Sequence, residues 1–345
     1  RSNDFCKVYP ICNDDKKVVN TSFDAVPGMK IFDTYTYEEI HYTVKDGRVA
    51  LDLEPFEMIA VICGDGAEEC GCCGKAALDE EIVLAEEIVL NSKMGFAPEG
   101  GNILPLKYEM FDKELKQWRK GSHVQLPENV RLTINEKYQL RSEVVFDYVP
   151  EKVYLNAEIY GVSDLLINGK PIELDINTNR WTECDSICDI TEYIQAGVNT
   201  FEYTATTDPT YNWVMPPYFF LTGDFAVSED DKVIAPVHEI DLAYGWEKQG
   251  FRYFSGTACY TTKANVASDF TKAEVVVECT DSVEVWVNGE KAGIILWAPN
   301  KVDVTSLLKK GENDIEIRVT STLSNMLDVA IDTGLTAPVK IKLYK

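Results

Sequence analysis

The sequence predicts an all-β chain of tandem β-sandwich domains preceded by a smaller β-sandwich segment. Three observations predict it. β-Branched and aromatic residues alternate with polar ones over residues 140–228 and 255–345. Gly, Asn and Asp interrupt these runs at about 8–12-residue spacing, the rhythm of a sandwich built from hairpins. One ordered pattern of strand and turn residues occurs twice.

At 345 residues the chain has room for two or three domains. The expected division is a β-sandwich segment over 1–72 and two sandwich domains over 73–229 and 230–345. In the first segment, Lys45-Asp46-Gly47-Arg48 is a hairpin turn, because Asp-Gly supplies the positive φ of a tight reversal. Val49-Ala50-Leu51-Asp52-Leu53 follows, with one face to bury. Met58-Ile59-Ala60-Val61-Ile62 is a continuous apolar run, as in a strand covered on both sides. Residues 64–74 break the pattern and are expected to be a linker. Leu78 to Leu90 is open between helix, from its Glu spacing, and strand, from Ile82-Val83-Leu84 and Ile88-Val89-Leu90.

The repeat fixes the rest. Leu165-Leu166-Ile167-Asn168-Gly169-Lys170 returns as Val285-Trp286-Val287-Asn288-Gly289-Glu290. Asp189-Ile190-Thr191 precedes Gly197-Val198-Asn199 by the same eight-residue interval that separates Asp303-Val304-Thr305 from Gly311-Glu312-Asn313. Asn-Gly pairs suit type I′ turns. Asn168, Asp189 and Asn199 are therefore expected to superpose on Asn288, Asp303 and Asn313. Trp286, inside a strand, is expected to be structural.

Charge narrows the partners. A net charge of −24 repels phosphate backbones and anionic lipid, so neither nucleic acid nor a membrane is an expected partner, whereas neutral sugars remain open. No apolar run approaches the roughly 18 residues of a membrane span. The opening Arg1-Ser2-Asn3-Asp4 has neither an initiator methionine nor an apolar signal region, so the chain is expected to be a piece of something longer. Of ten cysteines, Cys70, Cys72 and Cys73 crowd one short stretch without the second spaced pair of a zinc site, and His41, His123 and His238 are far apart. Reduced thiols in a cytoplasmic or anaerobic setting are expected.

Local catalytic signatures do not match. There is no Gly-x-Ser-x-Gly elbow. Gly74-Lys75-Ala76 fails as a phosphate loop, with Glu69 in place of the first glycine and Ala76 in place of Ser or Thr. Glycoside hydrolysis needs two opposed carboxylates, and no local pattern marks such a pair among 57 acids.

The repeated motifs resemble the galactose-binding-like jelly rolls, or sugar-binding domains, of family 2 glycoside hydrolases and family 106 rhamnosidase-like enzymes. In those modules Val-Asn-Gly, Asp-Val/Ile-Thr and Gly-x-Asn follow in this order. Val49 to Glu57 resembles the last strands of the β-sandwich behind a catalytic barrel. Asn102-Ile103-Leu104-Pro105-Leu106-Lys107-Tyr108 resembles the entry strand of the next module, and Tyr218 to Val227 the strand that closes it. Trp246 to Thr257 is similar to the aromatic opening of the last module. The resemblance implies the rear region of a bacterial multidomain glycosidase whose catalytic carboxylates sit in a barrel, and this chain shows no βα run long enough for one. It leaves open a structural calcium on loop acids such as Asp185, Asp189 and Asp281; no other cofactor is expected.

Sugar rings stack on flat apolar faces and hydrogen-bond to polar side chains. Candidates are Arg180 and Trp181, then Tyr211, Asn212 and Trp213, with Trp246 and Trp297 in the last domain; each aromatic could instead plug a sandwich end. The expected function is a non-catalytic region or subunit of a glycoside hydrolase, whose partners are carbohydrate and the catalytic domain or subunit of the same enzyme. A free-standing lectin-like protein and a purely structural spacer are the alternatives.

Overall fold

The computed structural model describes residues 7–15, 17–34, 38–63, 83–133, 135–174, 185–207, 218–297, 300–329 and 331–345. The expected linker at 64–74 lies outside them, as do residues 78–82 of the helix-or-strand segment. Leu84–Val89 of that segment is a strand.

The first unit is a small sandwich. Lys7–Cys12, Met58–Cys63 and Lys30–Asp33 form one sheet, and Val19–Asp24, Arg48–Leu53 and Val44–Lys45 the other. Its core is Met29, Ile31, Val49, Leu53, Ile59 and Val61. Asp46 and Gly47 take positive φ at the expected hairpin. The apolar run Met58–Cys63 is the central strand of its sheet, but only Ile59 and Val61 are buried and Met58 is exposed. It is therefore covered on one face, against the expectation of two.

Two larger sandwiches follow with the same topology. The long sheet of one runs Gln117–Lys120, Tyr108–Asp112, Lys137–Phe146, Gly197–Thr206, Val162–Ile167, Lys170–Pro171. Its counterpart runs Glu239–Asp241, Lys93–Pro98, Thr257–Val266, Gly311–Thr320, Ser282–Val287, Glu290–Ile295. The facing sheets are Asp185–Asp189, Val153–Glu158, Phe219–Gly223, Asn102–Pro105 and Lys301–Asp303, Lys272–Val276, Lys340–Tyr344, Leu84–Val89. In both, a pair of ten-residue strands forms the spine, Lys137–Phe146 with Gly197–Thr206 and Thr257–Val266 with Gly311–Thr320. Their strict alternation of buried and exposed residues is the period-2 pattern read from the sequence.

The division at residue 229/230 does not follow the sheets. Leu84–Val89 pairs with Lys340–Tyr344, and Lys93–Pro98 with Thr257–Val266 and Glu239–Asp241. These strands, placed by sequence in the 73–229 domain, complete the C-terminal sandwich. The other sandwich, residues 102–234, is inserted between the second and third strands of its host, Lys93–Pro98 and Glu239–Asp241. Val83 and Lys345 exchange backbone hydrogen bonds of 3.1 and 3.0 Å, closing the host end to end.

Insert and host share one hydrophobic core. The fully buried Asn102 amide donates to the carbonyls of Phe225 (3.0 Å) and Gly250 (2.8 Å). Gly250 needs its φ of +97° here, and a Cβ on it would lie 2.8 Å from that of Ala226. His123 of the insert is buried with Nε2 3.1 Å from the carbonyl of Met326, so Nε2 carries the proton. Burial holds the imidazole below its usual pKa, in the neutral form.

The repeated motif is the lock of each sandwich. Asn168 and Asn288, at φ 52° and 53°, occupy the expected hairpin turns. Asn168 Nδ2 donates to Asn199 Oδ1 (2.8 Å) and to the Tyr193 carbonyl (2.8 Å); Asn288 Nδ2 donates to Asn313 Oδ1 (2.9 Å) and to the Leu307 carbonyl (2.9 Å). Asn199 donates in turn to the carbonyls of Gln195 and Gly197, and Asn313 to those of Lys309 and Gly311. Asp189 and Asp303 accept from the amides of Thr191 and Thr305, whose hydroxyls meet the amides of Val153 and Ala273. The expected pairing of positions therefore holds.

Asn313 is 1 % exposed, so Asn313→Ala leaves several buried polar groups without partners, at a cost of about 3 kcal/mol. Asp303→Ala removes an exposed turn contact and costs about 1 kcal/mol or less. Urea unfolding of the two variants measures the difference.

Candidate functional site

Of the residues expected to bind sugar, Trp246 and Trp297 are among the described residues. Arg180, Trp181, Tyr211, Asn212 and Trp213 lie outside the described residues. Trp246 is fully buried, 5.3 Å from Phe254 and 6.4 Å from Tyr260 between ring centroids. Its faces are spent on the host core, so it has none to offer a ligand. Trp286 sits on the outer face of its sheet with Arg318 4.5 Å above the ring and Nε1 donating to Glu284. Trp297 is 50 % exposed and lines a pocket of about 430 Å³.

Three stretches of the host build one side of this pocket. Ile295 ends the strand Glu290–Ile295, and Leu296 and Trp297 follow it out of the sheet. Asn300 immediately precedes Lys301–Asp303. Cys279, Thr280 and Asp281 connect Lys272–Val276 to Ser282–Val287. The small sandwich supplies the opposite wall, Pro55 and Phe56.

Phe56 is held there by an unusual turn. Glu57 N–H donates to the Glu54 carbonyl at 3.0 Å, Pro55 occupies the second position, and Phe56 takes φ +60° in the third. This is the pattern of a type II turn, where glycine is the comfortable residue. A bulky side chain at positive φ costs roughly 1–2 kcal/mol. Asn13 holds the turn from below: its backbone N–H donates to the Glu57 carbonyl, and its amide to the carbonyls of Leu53 and Glu54. Pro55 suits the second position of a turn, but Phe56 in place of glycine conceals the type II geometry from the sequence.

The polar groups are set by the host. Asp281 Oδ2 accepts from Gly334 N–H at 3.0 Å, and burial raises the pKa of this carboxyl. Cys279 donates its thiol to the Gly334 carbonyl, and burial pushes it up to about 12, so it is a thiol and not a nucleophile. Leu296, Trp297 and Phe56 are at least half exposed and offer apolar surface beside the Asp281 carboxylate and the Asn300 amide.

Of the acids considered for calcium, Asp189 and Asp281 stand in different sandwiches. Asp189 belongs to the insert, where Lys152 at 2.6 Å and the Thr191 hydroxyl hold its pKa down to about 2. Asp281 belongs to the host, and the Asp185 side chain lies outside the described residues. Among the described residues no group of three metal-ligating side chains occurs, and no helix is long and apolar enough to cross a membrane. Cys12, Cys63, Cys188, Cys259 and Cys279 are free thiols, while Cys70, Cys72 and Cys73 lie outside the description.

No family model matches the chain. A protein named "Putative beta-glucuronidase" from Formosa agariphila is 38% identical over 122 residues, covering 33% of this chain and 10% of that protein. The chain thus spans about a tenth of the relative it matches. Among solved structures, a rhamnosidase from Novosphingobium sp. PP1Y aligns over 100% of this chain and 23% of its own at 15% identity and a TM-score of 0.43. The α-L-rhamnosidase of Streptomyces avermitilis aligns over 97% and 38% at 11% identity and a TM-score of 0.33. Neither score fixes a substrate. The fold is an all-β arrangement of antiparallel sandwiches, and a third of the chain is similar in sequence to the Formosa protein.

Phe56→Gly relieves the strained turn, so the melting temperature of the chain is expected to stay within about 2 °C of the parent or to rise. If Phe56 is there to line the pocket, ligand affinity falls in the same variant. A thermal melt and a ligand titration on one sample separate the two effects.

Proposed function

We propose that the chain is a non-catalytic β-sandwich region or subunit of a glycoside hydrolase, bracing the catalytic domain and holding a sugar ring in the pocket of Trp297. The observation that carries this reading is the pocket itself. Exposed apolar faces of Phe56, Leu296 and Trp297 stand beside a carboxylate and an amide, the combination that a pyranose with one apolar face and a rim of hydroxyls requires. The repeated asparagines cannot serve that purpose, since their side chains are committed to closing the sandwiches. The sequence likeness to the Formosa protein supports membership of a larger carbohydrate-active enzyme.

A single shallow site of this kind binds with a dissociation constant of about 0.1–1 mM, or roughly 4–5.5 kcal/mol. Calorimetry of the chain against monosaccharides and short oligosaccharides tests the reading. Trp297→Ala is expected to weaken binding at least about 10-fold, equivalent to about 1.4 kcal/mol, while leaving the fold intact. Affinity unchanged in Trp297→Ala, or turnover of aryl glycosides abolished by changing one acid of this chain, overturns it.

A further inference from the structure

We propose that the Trp297 pocket selects by charge, admitting neutral and amino sugars and rejecting uronic acids, with Asp281 as the residue that decides. The inference rests on the reading of this pocket as a sugar site and adds the class of sugar it takes.

Three observations carry it. Asp281 lines the pocket, and its hydrogen-bond partner is a backbone amide, Gly334 N–H at 3.0 Å; among the described residues no cation forms an ion pair with it. The neighbouring amide, Thr333 N–H, is held by a second carboxylate, Glu247 Oε2, at 3.2 Å, so two acids converge on consecutive residues of one loop. The cations of this end are already engaged: Lys248 lies 2.6 Å from Asp332 and 3.6 Å from Glu247, and Lys301, which follows Asn300, lies 3.4 Å from Glu274. A ligand carboxylate entering here therefore meets negative charge at short range in a half-buried setting, where like charges repel far more than in water. The net charge of −24 adds a long-range field of the same sign. A hydroxymethyl group in place of the carboxylate meets no such repulsion and can donate a hydrogen bond to Asp281. An ammonium group at the ring is attracted.

The test uses matched pairs on the full chain: methyl β-D-glucopyranoside against methyl β-D-glucuronide, and the galactose pair likewise, with glucosamine as the cationic probe. Titration calorimetry is expected to show each neutral member binding at least about 10-fold more tightly than its uronide, with glucosamine bound no more weakly than glucose. Asp281→Asn keeps an oxygen to accept from Gly334 N–H, and is expected to narrow each neutral-to-uronide ratio to below about 3-fold. Raising the salt concentration narrows the same ratio in the parent. Uronides bound as tightly as neutral sugars, or a ratio that Asp281→Asn leaves unchanged, refutes the charge selection while the site stands. Absence of binding by every probe, or affinities that Trp297→Ala does not alter, refutes the sugar site and this inference with it.

Discussion

The structure depends on a side-chain amide that ties a hairpin turn to the loop before the last spine strand. A jelly roll must bring together, at one end, strands that are distant in sequence, and the backbone there cannot satisfy itself. Asn199 and Asn313 each use both ends of the amide on the surrounding main chain, and each accepts from a second asparagine in the Asn-Gly turn. Buried, such a network is stabilising only when complete. That requirement explains why the residue types recur at the same interval in both sandwiches.

The same lock lets one sandwich sit inside the other. Because each copy closes its own end, the host tolerates the insert between Lys93–Pro98 and Glu239–Asp241. What remains is to orient the two, and this falls to Asn102, Gly250 and the buried His123 at the joint. The host's loop end then packs beside the Pro55–Phe56 turn of the small sandwich, which is how Phe56 and Trp297 come to share a pocket. The site is thus a product of domain arrangement and not of either fold alone.

This divides what was legible in the sequence from what was not. Asn168 with Asn199 and Asn288 with Asn313 could be paired from spacing, because turn chemistry is local. The nesting could not. Leu84–Val89 is an edge strand carrying Glu86 and Glu87, ambiguous by period, and its partner Lys340–Tyr344 lies at the other end of the chain. At the site, Trp297 stood out as a sugar-stacking candidate, whereas Asp281 was read as a candidate calcium ligand and not as part of a sugar site. Trp246 looked equivalent in sequence and proved to be core, since an aromatic residue in a loop reads the same whether the loop folds inward or outward. Phe56 was hidden because nothing in a residue's type announces a positive φ.

Residues 84–97 belong energetically to the C-terminal sandwich, and each sandwich has its own lock. Native-state hydrogen exchange on the chain carrying either Asn199→Ala or Asn313→Ala tests it most directly. Asn313→Ala is expected to strip protection from the amides of residues 84–97 together with those of 257–320, while Asn199→Ala leaves them protected and exposes residues 137–206. Protection of 84–97 lost with Asn199→Ala and retained with Asn313→Ala would contradict it.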